Sequence, residues 1–418
     1  MQMKIHTLIT DSDELAQLCD RLAKSDFVAV DTEFMRENTY WPELCLVQIA
    51  NTEEAAAIDP LASGLDMTPL YELLTDNHDV LKIFHAGGQD VEIIFNATGK
   101  TPSPIFDTQI AMMAISQSEQ IGYSNLVESW LGLTIDKGAR FTDWSRRPLT
   151  ERQIEYAIGD VTHLSKIFPK ILQRLIKTGR GMWLNQEMEK LADPDNYRND
   201  PTLAWRRIKA AGRNPQMLGR LKAIAEWREM EAQGKNIPRG RIARDETLAD
   251  LASHPPKQQS DLAKVRGLSQ GWRDNDIGKR LMNTIAKAQP LGDDEMPPRQ
   301  PRGAPLGKEG ALVADLLKLL LKIRAREIDV AARLLTRSDE LEMLASGVRK
   351  NLPILEGWRY EVFGKDALEL VEGRLGFAVE KGRLKMTRVS EDEEIFASAG
   401  SDDAVDEETD ESGDDSES

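Results

Sequence analysis

Apolar runs and polar breaks alternate along the first 180 residues in a way that predicts an α/β domain. Three short apolar runs, FVAV, LCLVQIA and AAAID, lie between Phe27 and Asp59 and are separated by ENTYWPE and ANTEE. Short runs bounded by turn-forming residues predict strands, and three in succession favour an antiparallel meander. The helical stretch MTPLYELLTDN, the strand VLKIF and mainly helical sequence then follow. Strands first and interleaved helices afterwards predict a mixed sheet.

One of the predicted helices has a well-defined start. TERQ is a capping box, with Thr150 as the N-cap and Gln153 three residues later, and Pro148 disfavours helix further upstream. That start fixes the phase of the helix. Tyr156 and Asp160 are four residues apart, so their side chains should emerge on one face.

Beyond residue 200 the period is helical and contains an internal repeat. GWRDNDIGK at 271–279 matches GWRYEVFGK at 357–365. The period is too long for a solenoid and indicates a duplicated small helical domain. A Pro- and Gly-rich segment between the copies indicates a flexible linker, and the acidic C-terminus should be disordered. The predicted units are an α/β domain at 1–202, all-α domains at 203–288 and 305–390, a linker at 289–304 and a disordered acidic tail at 391–418.

The net charge of −16 is distributed unevenly over these units. Residues 1–202 carry −13 and residues 203–288 carry +9, whereas residues 305–390 carry +3 and the tail carries −14. Because opposite charge attracts a polyanion, residues 203–288 are the expected contact for one.

Length and composition exclude several classes of protein. A chain of 418 residues predicts about two to four domains. No apolar run approaches the roughly 18 residues of a membrane span, and the N-terminus lacks the pattern of a secretory signal. Cys19 and Cys45 are the two cysteines, which fits a reducing compartment. We therefore expect a cytoplasmic, monomeric protein that does not bind membranes.

Two acidic residues interrupt the apolar strand FVAVDTEFM. Alternate residues of a strand face the same side, so Asp31 and Glu33 point together and Thr32 points away. Neighbouring carboxylates repel, and each raises the pKa of the other unless a cation lies between them. A solvated face on an edge strand would also explain the pair, although the apolar residues on either side weaken that interpretation.

Further acids at the ends of elements favour a metal site. Asp90 follows VLKIF through HAGGQ, where Gly87 and Gly88 allow close approach of the backbone, and Asp160 comes from the capped helix. Hard cations such as Mg²⁺ and Mn²⁺ prefer oxygen ligands, and a pair of such ions is the usual device for cleaving phosphodiesters. The acids therefore predict a site for divalent cations.

Three stretches resemble, in their order and spacing, the exonuclease motifs of the DEDD superfamily: VDTEFMRENTYWPELCLVQIA, FHAGGQDVEIIF and YAIGDVTHL. The pairing of Tyr156 with Asp160 is that of its tyrosine subgroup; the histidine subgroup has a His where this chain has Glu155. The superfamily implies a ribonuclease H-like fold. The duplicated module resembles the helicase-and-RNase-D C-terminal (HRDC) domain. One exonuclease domain with two HRDC domains is the arrangement of the bacterial ribonuclease D family, and the resemblance covers roughly residues 1–385.

The resemblance implies a metal-dependent 3′-to-5′ exoribonuclease. Its expected substrates are tRNA precursors and other small structured RNAs, which it would trim hydrolytically at the 3′ end with release of 5′-monophosphates. Asp31, Glu33 and Asp160 are implied to hold one of two Mg²⁺ or Mn²⁺ ions. Asp31 is implied to bridge to the second ion, which Asp90 supports, and Tyr156 is implied to orient the attacking water.

Residues outside the motifs are candidates for RNA contacts. Tyr40 and Trp41 can stack on a terminal base, although core packing explains them equally well. Arg146 and Arg147 precede the capped helix and can contact phosphate, with a solvated loop as the alternative. In the basic domain, where the alternative is a solvated helical surface, we favour as phosphate contacts Arg206, Arg207, Lys209, Arg213, Arg239, Arg241 and Arg244.

Two other functions fit parts of the pattern. A 3′-to-5′ DNA exonuclease would share the three motifs, but the sequence carries no polymerase or helicase signature. A nucleic-acid-binding scaffold with an inactive exonuclease domain would be expected to lack a metal ligand, yet the four carboxylates and the tyrosine are all present.

Overall fold

A computed structural model describes residues 3–136, 138–209, 212–297 and 306–388 of the protein. These residues form an α/β domain, a first helical domain (residues 201–297) and a C-terminal unit (residues 306–388). The predicted acidic tail and the part of the predicted linker after residue 297 lie outside the described residues.

A six-stranded mixed sheet is the centre of the α/β domain. Its strands are β1 (Lys4–Ile9), β2 (Phe27–Met35), β3 (Glu43–Ala50), β4 (Glu54–Ile58), β5 (Leu81–Phe84) and β6 (Ile105–Asp107). They lie in the order β1-β4-β3-β2-β5-β6. Strands β2, β3 and β4 form the antiparallel meander that the apolar runs predict. The other three strands form parallel pairs: β1 with β4, β5 with β2, and β6 with β5. The mixed sheet is therefore confirmed, and β1 and β6 are additions to it.

Helices cover both faces of this sheet. They are α1 (Ser12–Leu22), α2 (Thr68–Thr75), α3 (Gly88–Thr98), α4 (Thr108–Ile115), α5 (Tyr123–Leu131), α6 (Glu151–Thr178) and α7 (Asn185–Ala192). Val28 and Val30 of β2 pack with residues of α1, α2 and α3, whereas Ala29 packs with residues of α4, α5 and α6. Because side chains alternate along a strand, Asp31 and Glu33 face the layer that contains α6.

The first helical domain has its own apolar core. Its helices are α8 (Pro215–Gly234), α9 (Arg239–Ile242), α10 (Asp245–Ser253) and α11 (Asp276–Lys287), with 3₁₀ turns at Pro201–Arg207, Gln259–Lys264 and Gln270–Arg273. Trp227 and Trp272 are buried in the core, edge to face with ring centroids 5.8 Å apart. A Cβ atom on Gly278 would lie 1.7 Å from the Trp272 carbonyl oxygen, so close backbone packing requires glycine there.

The C-terminal unit is mostly helical and packs around a separate core. Its helices are α12 (Lys308–Glu327), α13 (Ala332–Leu335), α14 (Ser338–Ala345), α15 (Gly357–Arg359) and α16 (Lys365–Val371), with a π-helical segment at Tyr360–Gly364 between the last two. Gly364 is the repeat partner of Gly278, and a Cβ on it would lie 2.1 Å from the Ile354 carbonyl oxygen.

A β-hairpin ends the C-terminal unit, so the prediction that this unit is all-α is wrong. Strands β7 (Leu375–Glu380) and β8 (Arg383–Arg388) pair in antiparallel fashion, with Glu380 opposite Arg383. The two residues between them, Lys381 and Gly382, have φ values of +50° and +74°. Positive φ at both central residues is what a tight hairpin turn requires, and glycine adopts it without strain. The Lys381-Gly382 dipeptide was the sequence signal from which this hairpin turn could have been predicted.

The two tryptophans related by the repeat occupy different environments. Trp272 is buried inside its own domain, whereas Trp358 stacks on Trp183 of the α/β domain, with ring centroids 4.3 Å apart and planes 4° from parallel.

Among the helices of the described ranges, none is long and apolar enough to cross a membrane.

Candidate active site

Strand β2 is paired on only one side where it carries its two carboxylates. Asp31 and Glu33 pair with Gln48 and Leu46 of β3, whereas the pairing of β2 with β5 on the other side ends at Ala29. The chain of β5 turns away before it reaches the carboxylates. Other elements can therefore approach Asp31 and Glu33 from that side.

Helix α6 brings the third motif to the same place. Thr150 caps its start with the predicted capping box, since Gln153 bonds back to the Thr150 backbone. The helix then runs over β2 and β3 and places Tyr156 and Asp160 against the carboxylates of β2. Carboxylate oxygens of Asp31, Glu33 and Asp160 all lie within 4.8 Å of one another.

The three gathered carboxylates suit a divalent cation. They offer hard oxygen donors from two rigid elements at a separation that one ion can span. Without a cation, ionising all three would place negative charges together in a mostly buried site, so the protonated forms are favoured. The residues therefore fit the metal that the sequence predicts, although they do not distinguish Mg²⁺ from Mn²⁺.

Asp90 lies beside this group but outside the set of three. It is in the first turn of α3, on the opposite side of the sheet from α6, and is 8% exposed. Its carboxylate accepts a hydrogen bond from the hydroxyl of Thr32, the strand residue that points away from Asp31 and Glu33. Asp90 lines the same cleft as Asp31, and after burial its charge is the largest cause of the raised pKa of Asp31.

A short turn holds Asp90 in position. The backbone of Gly87 donates to Asp107 at 2.8 Å, and the same carboxylate caps α4 by accepting from Gln109 and Ile110. A Cβ on Gly87 would lie 2.5 Å from the Cβ of Phe84, so the turn requires glycine.

Burial raises the pKa of every carboxyl in the group, and repulsion by neighbouring carboxylates of the group adds to the rise for Asp31 and Glu33. Burial, followed by the charges of Asp160 and Asp90, raises the pKa of Glu33 to about 9, and the charge of Arg140 opposes this rise. Burial raises the pKa of Asp90 and of Asp160 to about 7, and it raises the pKa of Asp31 well above its usual value. A bound cation would reverse this effect by stabilising the ionised forms.

The Tyr156 hydroxyl remains protonated at neutral pH. Burial raises the pKa of Tyr156 above its usual value, and the negative charge of Asp160 adds to that rise. The side chain is therefore a hydrogen-bonding group in this site and not a base.

An open cleft of about 1200 Å³ surrounds these residues. Its lining includes Tyr123, Arg140 and Phe141, which the sequence analysis did not single out. Tyr123 donates its hydroxyl to the backbone carbonyl of Asp160 and packs against His85. Sequence signals for them were weak, because each lies between motifs and reaches the cleft only through the fold.

Two of the predicted RNA contacts are corrected by the structure. Tyr40 is 6% exposed, because its ring inserts into the core of the first helical domain and its hydroxyl donates to Glu229. Arg147 is bonded to Asp59, at 2.6 and 2.7 Å, and to the carbonyl of Cys45. Both side chains are therefore structural, and neither is available to RNA.

The remaining predicted contacts are partly compatible with RNA binding. Trp41 packs at the edge of the same core, and Arg239 pairs with the buried Glu229 at 3.1 Å, which commits it to the domain interface. Arg241 bonds to Asn38 of the α/β domain. The exposed bases that stay predicted phosphate contacts are Arg146, Arg206, Arg207, Lys209, Arg213 and Arg244.

Two family patterns match the chain. The family described as 3′-5′ exonuclease matches residues 6–176, and the HRDC domain matches residues 217–285. The HRDC match covers the first copy of the repeat, so the prediction of a second HRDC domain is not confirmed by it.

Relatives of known name match nearly the whole chain. Ribonuclease D of Sphingobium indicum is 68% identical over 386 residues, which are 92% of this chain and all of the relative. Ribonuclease D of Zymomonas mobilis is 62% identical over 390 residues, which are 93% of this chain and again all of the relative. The crystal structure of Escherichia coli RNase D, described as an exoribonuclease involved in structured RNA processing, is 29% identical; the match has a TM-score of 0.71 and covers 89% of this chain and 99% of that one.

Proposed function

Because this chain belongs to the ribonuclease D family and is a 3′-to-5′ exoribonuclease, we propose that it trims the 3′ ends of tRNA precursors and other small structured RNAs in the cytoplasm. The products are nucleoside 5′-monophosphates. The single observation that carries the catalytic proposal is the convergence of Asp31, Glu33 and Asp160 within 4.8 Å at the floor of an open cleft.

The proposed metal ligands are Asp31, Glu33, Asp90 and Asp160. When bound, a pair of Mg²⁺ or Mn²⁺ ions supplies Lewis-acid stabilisation of the phosphate oxygens and lowers the pKa of water. Asp31 is central among these residues because it belongs to the group of three and is also the carboxyl on which the charge of Asp90 acts. Thr32 fixes Asp90 by hydrogen bonding, which keeps the fourth carboxylate in place.

The proposed role of Tyr156 is to orient the attacking water. Its protonated hydroxyl lies one helical turn from Asp160 on the same face of α6. A hydroxyl can donate one hydrogen bond and accept others, so it can hold a water in line with the scissile phosphate without removing a proton.

The proposed division of the chain follows the predicted boundaries. Residues 1–202 form the catalytic domain, and residues 203–288 form an HRDC domain that contributes phosphate contacts. We assign residues 305–390 as a diverged second HRDC-like domain, supported by the repeat and by Gly278 and Gly364, both of which lie where a side chain would meet a carbonyl oxygen. The proposed state is a monomer.

The decisive experiment compares RNA with DNA on the same protein. The purified chain is incubated with a 3′-extended tRNA and with a DNA of matched sequence, each with and without Mg²⁺. We expect metal-dependent shortening of the RNA from its 3′ end and little action on the DNA.

Asp31→Asn and Glu119→Gln provide the matched pair of variants. Asp31→Asn should abolish hydrolysis while it leaves folding and RNA binding nearly intact, since it removes a ligand and keeps the shape. Glu119 is exposed and lies outside the cleft, so Glu119→Gln should retain full activity. Substantial hydrolysis by Asp31→Asn would contradict the proposed site.

A further inference from the structure

A phenyl ring is displayed in water at the rim of the catalytic cleft. Phe141 is 90% exposed, although it lies in a short segment, residues 138–144, whose Ala139 and Trp144 are each 2% exposed. We call this segment the rim loop. Phe141 and Arg140 line the same cleft as the carboxylates and Tyr156. The ring is therefore available to a ligand that enters the cleft.

Hydrogen bonds fix the rim loop to helix α6. Thr142 bonds back to the carbonyl of Ala139 through its backbone amide at 3.1 Å and through its hydroxyl at 2.7 Å. The Thr142 hydroxyl accepts at 3.1 Å from Gln153, the residue that also completes the capping box of α6. The ring is therefore displayed from a fixed turn, so little conformational freedom is lost when a ligand packs on it.

An ion pair supports the start of the same loop. Asp136 bonds to Arg152 of α6 at 2.7 Å and accepts from the backbone of Gly138 at 2.9 Å. A Cβ on Gly138 would lie 1.9 Å from the Arg152 guanidinium, so the loop passes directly over that side chain. Helix α6 thus carries both the metal-ligand Asp160 and the anchors of the rim loop.

Arg140 connects the ring with the carboxylates. Its guanidinium carbon lies 5.2 Å from the centre of the Phe141 ring. Its charge also acts on Glu33 and Asp160, which places it within electrostatic reach of the metal-binding group. A cation that contacts an exposed ring and lines the same cleft as the carboxylates matches a nucleotide, in which a phosphate and a base are joined through the sugar.

We propose that the rim loop is a nucleobase subsite, in which Phe141 stacks on a base at the RNA 3′ end while Arg140 contacts the adjacent phosphate. Every base presents a flat face, so stacking holds a strand without selecting its sequence. That property suits an enzyme that must accept a new 3′-terminal nucleotide after each cleavage. The inference rests on the proposed exoribonuclease function and adds the groups that hold the strand end.

The test measures binding of a single-stranded RNA in the inactive Asp31→Asn background with Mg²⁺ present. Stacking on one aromatic side chain is worth roughly 1–3 kcal/mol, so Phe141→Ala should weaken binding roughly 5- to 150-fold. Phe141→Tyr should bind like the parent, because it keeps the aromatic face. Phe141→Leu keeps apolar bulk without that face and should show an intermediate loss.

A second oligonucleotide separates stacking from a merely structural role. It has the same backbone but lacks the bases of its last two nucleotides. Phe141→Ala should change its affinity by less than about twofold, because there is no base for the ring to stack on. In a third measurement, 2-aminopurine at the 3′ terminus should be quenched on binding by the parent and much less by Phe141→Ala.

The control variant is Ile176→Ala. Ile176 is also highly exposed, at 72%, and lies near the far end of α6. Ile176→Ala should therefore change the affinity for neither the complete oligonucleotide nor the one that lacks its last two bases. Binding by Phe141→Ala within about twofold of the parent, or an equal loss on both oligonucleotides, would overturn the subsite. Since the wild-type chain is assayed separately for hydrolysis of RNA, failure of the subsite is distinguishable from failure of the exoribonuclease function.

Discussion

At the scale of single residues, the site is built from carboxyl groups that destabilise one another until a cation is bound. Asp31, Glu33 and Asp160 are close and mostly buried, and each has a raised pKa, first because of burial. Thr32 donates to Asp90 and so keeps a fourth acid next to them. A cluster of this kind costs local stability, which is expected where a site is preformed for a cation.

The raised pKa values predict that Mg²⁺ stabilises the fold more as pH rises. The pKa of Glu33 is about 9 and those of Asp90 and Asp160 are about 7, all above the usual values of about 4 for unfolded chains. The stability that these protonated groups contribute is fully present below about pH 4 and is lost as pH rises through about 7 to 9. Mg²⁺ requires the ionised forms, so its binding should strengthen over the same interval.

The measurement is the Tm with and without Mg²⁺ at a mildly acidic and a mildly alkaline pH. We expect the larger Mg²⁺-induced rise in Tm at alkaline pH. Glu33→Gln should reduce that rise, whereas Glu119→Gln should leave it unchanged. A rise that is independent of pH would show that Mg²⁺ binds elsewhere.

Tyr156→Phe tests the hydroxyl separately from the ring. The ring packs beside Trp144, with centroids 6.2 Å apart, and should stay in place when the hydroxyl is removed. Because a group that positions the nucleophile acts mainly in the transition state, kcat should fall more than RNA affinity, by roughly 10²- to 10⁴-fold. The check is single-turnover hydrolysis together with binding; an unchanged rate would remove the proposed role.

At the scale of elements, one helix organises most of the site. The capping box sets where α6 begins, the four-residue spacing puts Tyr156 and Asp160 on one face, and Gln153 ties the rim loop to the same helix. The first two follow from helical geometry and were predictable from sequence. The third depends on a loop whose conformation the sequence did not indicate.

The docking of the C-terminal unit is also decided by a few side chains. Trp358 stacks on Trp183, and the backbone amide of Ala331 donates to the carbonyl of Met113 at 2.8 Å. Arg359 lies over the Trp358 ring at 4.6 Å and bonds to Gln186. The C-terminal unit therefore packs on the catalytic domain through Trp358, whereas the equivalent residue of the first repeat, Trp272, is buried inside the first helical domain.

Trp358→Ala should loosen this docking without unfolding either unit. A stacked aromatic pair contributes roughly 0.5–1.5 kcal/mol beyond its buried area, so the Ala331 amide should exchange its hydrogen roughly two- to tenfold faster. The measurement is hydrogen exchange resolved to short peptides. Met182→Ala is the control, because Met182 is adjacent but 73% exposed. Unchanged exchange at Ala331 would show that the stacking does not hold the interface.

At the scale of the whole molecule, charge is divided between catalysis and binding. The catalytic domain carries −13 and the first helical domain carries +9, so we expect RNA to be attracted mainly by the first helical domain. The two are joined by Tyr40, which inserts into the core of the first helical domain, and by Asn236, which accepts from the Tyr40 and Trp41 amides. The basic domain is thereby fixed to the catalytic domain through a packed interface.

The acidic tail is expected to weaken non-specific binding of RNA. Residues 391–418 carry 14 acidic and no basic residues and can compete with phosphate for the basic domain. Truncation after Arg388 should therefore tighten binding to random RNA, and most strongly at low salt, where charges are least screened. The check is affinity as a function of salt concentration. A chain whose tail acids are replaced by Asn and Gln serves as the matched control and should behave like the truncation; equal affinities throughout would make the tail a solubilising appendage.

The sequence by itself determined the local features of this protein. Strand alternation placed Asp31 and Glu33 on one face and the capping box fixed the phase of α6, because both depend on geometry within a few residues. The order and spacing of the three motifs gave the resemblance to the exonuclease family. Tertiary structure alone decided which exposed-looking aromatics and arginines were free: Tyr40 and Arg147 are held in structural contacts, whereas Phe141 is displayed in the cleft. Whether such a side chain is buried depends on segments that are distant in sequence, and no local pattern records which of those will pack against it.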